Sequence, residues 1–148
     1  MRLSEILAGL PGAEVKGPTT LEIAGVEHDS RRVAPGFLFV CVRGFTRDGH
    51  AFIADAASRG AVAVLVEQDP QGLAIPAGLT LIRVADSRAS LAAVAARFFG
   101  YPSRSLRLVG VTGTNGKTTT AYLVERILTA AGRPCGLLGT IEYRLGRT

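Results

Sequence analysis

Residues 109–120 read V-G-V-T-G-T-N-G-K-T-T-T, and no other stretch of the chain limits its fold so sharply. A β-branched, apolar run over residues 106–111 predicts a buried strand entering it, and a helix-forming run over residues 119–131 predicts a helix leaving it. Between the two, Gly113 and Gly116 let the backbone curl so that its N–H groups converge on phosphate oxygens. The start of the helix adds partial positive charge at the same point. Lys117 is expected at the β- and γ-phosphates, and the Thr118 hydroxyl on Mg²⁺. The strict pattern G-x-x-x-x-G-K-[ST] asks for glycine at position 111, where Val111 stands between Gly110 and Gly113. The competing reading is a glycine-rich turn with an incidental lysine. The order strand, loop, G-K-T-T, helix disfavours it.

The chain before this loop alternates strand and helix signals, as an α/β fold requires. Helical spacing of Leu3, Ile6, Leu7 and Leu10 predicts a short helix over residues 4–9. Strands are predicted over residues 21–26, 37–42, 61–66 and 79–84, and helices over 50–58 and 88–99. Asp86 or Ser87 would cap the last helix, and Gly100 and Pro102 would stop it. A polar segment, His28-Asp29-Ser30-Arg31-Arg32, follows the first strand; Pro35-Gly36 is a turn; residues 44–49 form a glycine-bounded loop. Residues 68–78 are rich in Pro and Gly and read as loop. The segment 101–104 marks a boundary, giving an α/β domain over residues 1–101 and the start of a phosphate-loop domain over 102–148. The second part offers one helix and, over residues 135–145, one or two strands. An open α/β sheet needs more βα units than this, so the chain is expected to be the N-terminal part of a longer protein.

Composition narrows the partners. Seventeen basic residues against 12 acidic leave a net charge of +5, and the arginines are scattered rather than clustered. With 6% aromatics and no Trp, stacking platforms for single-stranded nucleic acid are not expected, and anionic small molecules such as nucleotides fit better. No apolar run approaches a membrane span, and the N-terminus is too short and polar for a signal peptide, so a cytoplasmic protein is expected. Cys41 and Cys135, each in an apolar run, are expected as two buried thiols with neither disulfide nor metal.

Three stretches combine into a resemblance. They are D-S-R with P-G-F-L-F-V (residues 29–31 and 35–40), D-G-H-A-F-I (48–53) followed by G-A-V-A (60–63), and G-V-T-G-T-N-G-K-T-T-T (110–120). Together they resemble the Mur ligase family of peptidoglycan synthesis over nearly the whole chain. The T-G-T-N-G-K-T-T-T spelling with G-L-L-G-T-I (136–141) is most similar to the MurE type. Within that family the departure at Val111 is the expected pattern.

The resemblance implies an ATP- and Mg²⁺-dependent amide-bond ligase. Such an enzyme activates the carboxylate of UDP-MurNAc-L-Ala-D-Glu as an acyl phosphate and joins it to an amino acid, diaminopimelate or lysine. Gly113, Thr114, Asn115, Gly116, Lys117, Thr118 and Thr119 map onto the family's nucleotide loop, with Lys117 catalytic and Thr118 on the metal. His28 and Ser30 map onto its uridine-contacting region, and Phe45, Thr46 and Arg47 onto its second substrate loop. Some relatives carry His-Gln-Ala-like residues in that second loop, so the side chains differ there, while backbone N–H contacts remain available. A turn or cap role for Ser30 competes evenly with substrate contact. Asp48 and His50 read as a structural cap, and Thr140 is a weaker candidate for a place near the γ-phosphate or substrate. A monomer is expected, and the piece alone is expected to be inactive as a ligase. A MurF-type ligase and a non-catalytic UDP-sugar-binding module remain as alternatives.

Overall fold

The computed structural model describes residues 1–44, 47–67 and 75–145. They form two compact units, Met1–Ser105 and Leu106–Thr148.

The first unit is an α/β sandwich around a five-stranded sheet. Its strands are β1 (Glu14–Lys16), β2 (Gly25–Glu27), β3 (Phe37–Val40), β4 (Ala61–Val66) and β5 (Thr80–Arg83), in the order β1-β5-β4-β3-β2. Strands β2 to β5 run parallel, with Val26 opposite Leu38, Val40 opposite Leu65 and Leu65 opposite Ile82. Strand β1 closes the far edge antiparallel to β5, Val15 opposite Ile82. The sequence of β4, A-V-A-V-L-V, is apolar throughout because a central parallel strand is covered on both faces.

Successive side chains point to opposite faces, so the strands supply two cores. Leu38, Val40, Ala63, Leu65 and Ile82 pack with Leu3 and Ile6 of α1 (Leu3–Leu7) and Val94 of α3 (Ser87–Phe98). Phe39, Val64, Val66 and Leu81 pack with Val33 and with Ile53 and Ala56 of α2 (Ile53–Ser58). Gly60 makes the sharp turn into β4: its φ is +99°, and a Cβ there would lie 2.8 Å from the Pro35 Cα.

Several elements differ in extent from expectation. The strand predicted over 21–26 is confined to β2. Residues 21–23 pair instead with the N-terminus, where Leu3 N–H donates to the Leu21 carbonyl and Ile23 N–H to that of Met1, both at 2.8 Å. The alternation of Leu21 and Ile23 therefore serves burial beside α1 rather than the sheet. Strand β1 escapes sequence reading because Glu14 and Lys16 flank a single apolar residue on an exposed edge. The helix expected over 50–58 opens as a 3₁₀ turn, Gly49–Phe52, before α2.

In the second unit, α4 (Lys117–Ala130) is followed by an antiparallel hairpin of β6 (Gly136–Leu138) and β7 (Tyr143–Leu145). The Tyr122 hydroxyl donates to Glu142, Arg144 Nε pairs with Glu142 at 2.6 Å, and the Arg144 guanidinium lies 4.8 Å from the Tyr122 ring centre. These contacts tie hairpin to helix. The strand expected over 106–111 does not form: Leu106, Leu108 and Val109 are exposed and lie outside any ladder among the described residues. A strand exists only through a neighbour's hydrogen bonds, and β6 pairs with β7 alone.

Cys41 is buried, which pushes its thiol up to about 12, with the Asp48 charge adding to the effect. Cys135 corrects the expectation of two buried thiols, being only half-buried in the turn before β6. Both are free. Among the described residues no helix is long and apolar enough to cross a membrane.

Candidate functional site

Each unit carries its own candidate site. In the second, the loop before α4 turns on two glycines with positive φ, Gly113 at 143° and Gly116 at 76°. Gly116 is the residue before the helix, and its carbonyl accepts from Thr120 N–H at 2.9 Å. An L-side chain at either position would be strained, so the curl is written into the glycines. Lys117 folds back over the curl, its Nζ donating to the carbonyls of Gly113 at 2.5 Å and Thr114 at 3.3 Å. Thr114, Asn115, Thr118 and Thr119 are exposed around it. The first-turn N–H groups of α4 have no partner within the helix. Exposed donors, an ammonium and a first-turn hydroxyl are a donor set that fits a polyphosphate with a hard cation. Among the described residues no cluster of three or more acidic, His or Cys groups could hold a metal alone, so Thr118 would need ligands from phosphate or elsewhere. Thr140 is exposed in the turn between β6 and β7.

In the first unit the polar residues gather beyond the carboxyl ends of β2, β3 and β4, where ligands of open α/β sheets bind. After β2, Asp29 caps a 3₁₀ turn, Ser30–Arg32, by accepting from Arg31 N–H at 3.1 Å. The Arg31 guanidinium clasps the same carboxylate at 2.9 and 2.6 Å and holds the Asp29 carboxyl down at about 2. Ser30 is buried, and its hydroxyl, followed by Arg59, holds the Asp55 carboxyl of α2 below its usual range. The Ser30 side chain is thereby set against α2 in this structure. His28 is largely exposed, with Nδ1 3.3 Å from Glu27 Oε1. Arg32 Nε pairs with Glu27 Oε2 at 3.3 Å.

After β3, the backbone doubles back: Gly44 N–H donates to the Arg47 carbonyl at 2.8 Å, and Arg43 bridges to Asp48. Arg47 is exposed on this loop. Phe45 and Thr46, also expected to meet substrate, lie outside the described residues. Asp48 caps the 3₁₀ turn, as expected of a structural pair, and His50 faces it. Sequence reasoning missed how far the network extends. Glu67 and Ser87 at the ends of β4 and α3, and the Arg43–Asp48 pair, all join it. Their partners are 5 to 45 residues apart, so no local spacing reveals them.

The Asp48 carboxyl is held at about 2, against an ordinary 3.8, by hydrogen bonds from the His50 backbone and ring. Asp29 is lowered to about 2 by Arg31. A carboxyl lowered in the folded state contributes stability above its unfolded value and loses it as pH falls through the folded one. The first unit is therefore expected to weaken progressively as pH drops from 3.8 towards about 2. Circular dichroism melts across that window check this, and D48N should flatten the acid limb.

The chain is similar to known proteins along its length. Residues 22–99 match the Mur ligase family, catalytic domain, and residues 111–148 the Mur ligase middle domain. The chain is 47% identical over 146 residues to UDP-N-acetylmuramoyl-L-alanyl-D-glutamate--2,6-diaminopimelate ligase of Geobacter sulfurreducens, covering 99% of this chain and 28% of that protein. It is 48% identical over 146 residues to UDP-N-acetylmuramyl-tripeptide synthetase of a Roseiflexus species, with the same coverage, 99% and 28%. A solved UDP-N-acetylmuramoyl-L-alanyl-D-glutamate--2,6-diaminopimelate ligase superposes with a TM-score of 0.74 at 25% identity, over 98% of this chain and 28% of that one. The MurF ligase of Thermotoga maritima, solved in complex with ADP, superposes at 0.54 with 30% identity, over 74% of this chain and 24% of that one. The chain thus spans a little over a quarter of the length of the curated relatives it matches. With its parallel α/β unit, its curled G-T-N-G-K-T loop and a family match across residues 22–99, the chain belongs to the Mur ligase family.

Proposed function

We propose that this chain is the N-terminal portion of a MurE-type ligase. That ligase adds a third amino acid, diaminopimelate or lysine, to UDP-MurNAc-L-Ala-D-Glu at the expense of ATP, in peptidoglycan synthesis. The observation that carries the reading is one chain holding both a Lys117-crossed phosphate loop and a D-S-R and D-G-H-bearing sheet edge. Relatives named for that reaction match it end to end. A MurF-type step has support from structural likeness, but the named sequence relatives favour the tripeptide step.

When bound with Mg²⁺, ATP supplies the phosphoryl group that turns an unreactive carboxylate into an acyl phosphate open to attack by an amine. In the second unit, the N–H groups of residues 113–118 would hold the β- and γ-phosphates. Lys117 would leave the loop carbonyls to meet the γ-phosphate, and its charge would counter the negative charge that builds during transfer. The Thr118 hydroxyl would ligate the cation. In the first unit, His28, the backbone of Ser30 and the 44–47 loop would hold the uridine diphosphate. Arg43 and Arg47 lie exposed on that loop, with charge suited to the diphosphate.

Calorimetric titration of the 148-residue chain tests the two sites separately. UDP and Mg-ATP are each expected to bind, without competing. A folded chain that binds neither overturns the reading; one that binds Mg-ATP but not UDP overturns the assignment of the first unit.

A further inference from the structure

We propose that His50 is a positioning residue for the substrate loop of the first unit, its imidazole standing in for a missing rung of the β3–β4 ladder. The inference rests on the reading of residues 44–47 as a uridine-diphosphate loop.

Parallel strands exchange evenly spaced hydrogen bonds. At the carboxyl end of β3 and β4 the last of these runs from Cys41 N–H to the Leu65 carbonyl, at 2.8 Å. The next would join Glu67 N–H to the Cys41 carbonyl. The chain leaves the sheet there instead, with Val42 taken up by Gly49 N–H at 3.0 Å. Glu67 N–H would be stranded at the sheet edge, and it donates to His50 Nε2 at 3.2 Å.

That bond assigns the imidazole. Nε2 accepts, so it carries the lone pair, and the proton sits on Nδ1, which faces Asp48 Oδ1 at 2.5 Å. The ring is mostly buried, with 14% of its side chain exposed. Asp48 Oδ1 also accepts His50 N–H at 3.0 Å, and its Oδ2 faces Arg43 Nε at 3.3 Å. A second path returns to the same loop. Glu67 Oε1 accepts from Ser87 N–H and Oγ, both at 2.9 Å, and the next residue, Arg88, donates through Nη2 to the Arg43 carbonyl at 3.1 Å.

The loop stems, Arg43–Gly44 and Arg47–Asp48, are thus fastened to the ends of β3 and β4 and to the start of α3 by a closed circuit. His50 is the one member of that circuit that must both donate and accept through its side chain. A lysine or arginine cannot accept, and a phenylalanine can do neither. A glutamine keeps an acceptor at the reach of Nε2. Holding the stems in advance removes an ordering cost from substrate binding, so losing the clamp should weaken affinity rather than remove a contact with substrate.

The test uses the intact 148-residue chain. Long-range ¹⁵N–¹H spectra of the wild type are expected to show the His50 tautomer with Nδ1 protonated and Nε2 bare. By calorimetry, His50→Phe is expected to lower UDP affinity about tenfold, the ordering cost that released loop stems add to binding, and His50→Gln to keep it within about threefold. Equal affinity of His50→Phe and wild type would overturn the inference, as would a protonated Nε2. Should His50→Phe not fold, the wild-type tautomer and the His50→Gln affinity decide, and a tenfold loss in His50→Gln counts against it. A folded wild type that ignores UDP overturns the substrate reading and this inference together. UDP binding that is insensitive to position 50 overturns this inference alone.

Discussion

On the proposed reading, replacing Lys117 with alanine in the full-length protein is expected to lower ligase kcat by about a thousandfold or more while leaving affinity for the UDP-linked substrate unchanged. The Lys117 ammonium is exposed and linked to its own loop through the Gly113 and Thr114 carbonyls, so the substitution leaves no buried charge without a partner. In the proposed role, what is lost is a positive charge at the point where phosphoryl transfer accumulates negative charge, a loss felt in the transition state more than in the ground state. Phosphate release under saturating substrate measures the first part, and calorimetry with UDP the second. Turnover within a few-fold of wild type would remove the phosphate-loop assignment.

Phe39→Ala is expected to be the most destabilising single truncation in the first unit. Phe39 is fully buried and heads the cluster that joins β3, β4 and α2, against Val64, Val66, Ile53 and Ala56. A buried Phe→Ala change costs about 3–5 kcal/mol, combining lost transfer energy with the cavity left behind. Against a typical domain stability of about 5–15 kcal/mol, that leaves the unit marginal or unfolded at 37 °C. Urea denaturation followed by circular dichroism would show a large fall in midpoint with little change in slope. A shift under about 1 kcal/mol would mean that the second core is looser than its burial implies.

The strands that could be read from sequence are those whose burial is symmetric. In β4 the run A-V-A-V-L-V has its bounds in its own composition, and α3 is bounded by an Asp86 cap and by Gly100. Elements whose existence depends on a neighbour were harder to read. Residues 106–111 look like a strand and form none here, while β1, with one apolar residue in three, is a strand because β5 lies beside it. The candidate sites divide along the same line. The curl around Gly113 and Gly116 is legible because positive φ selects glycine locally. The influence of the Ser30 hydroxyl on Asp55 and the placing of the His50 ring against Glu67 are not, because their partners lie 25 and 17 residues away.

The amino-acid sequence by itself therefore determined the α/β class, the central strands and the glycine-shaped loop that presents Lys117. All of these follow from burial periodicity and backbone sterics acting within a few residues. Only the tertiary structure decided which polar side chains are spent on the fold and which remain for a ligand. A hydroxyl or imidazole becomes a clamp or a contact according to what the chain brings to it from a distance, and folding alone sets that distance.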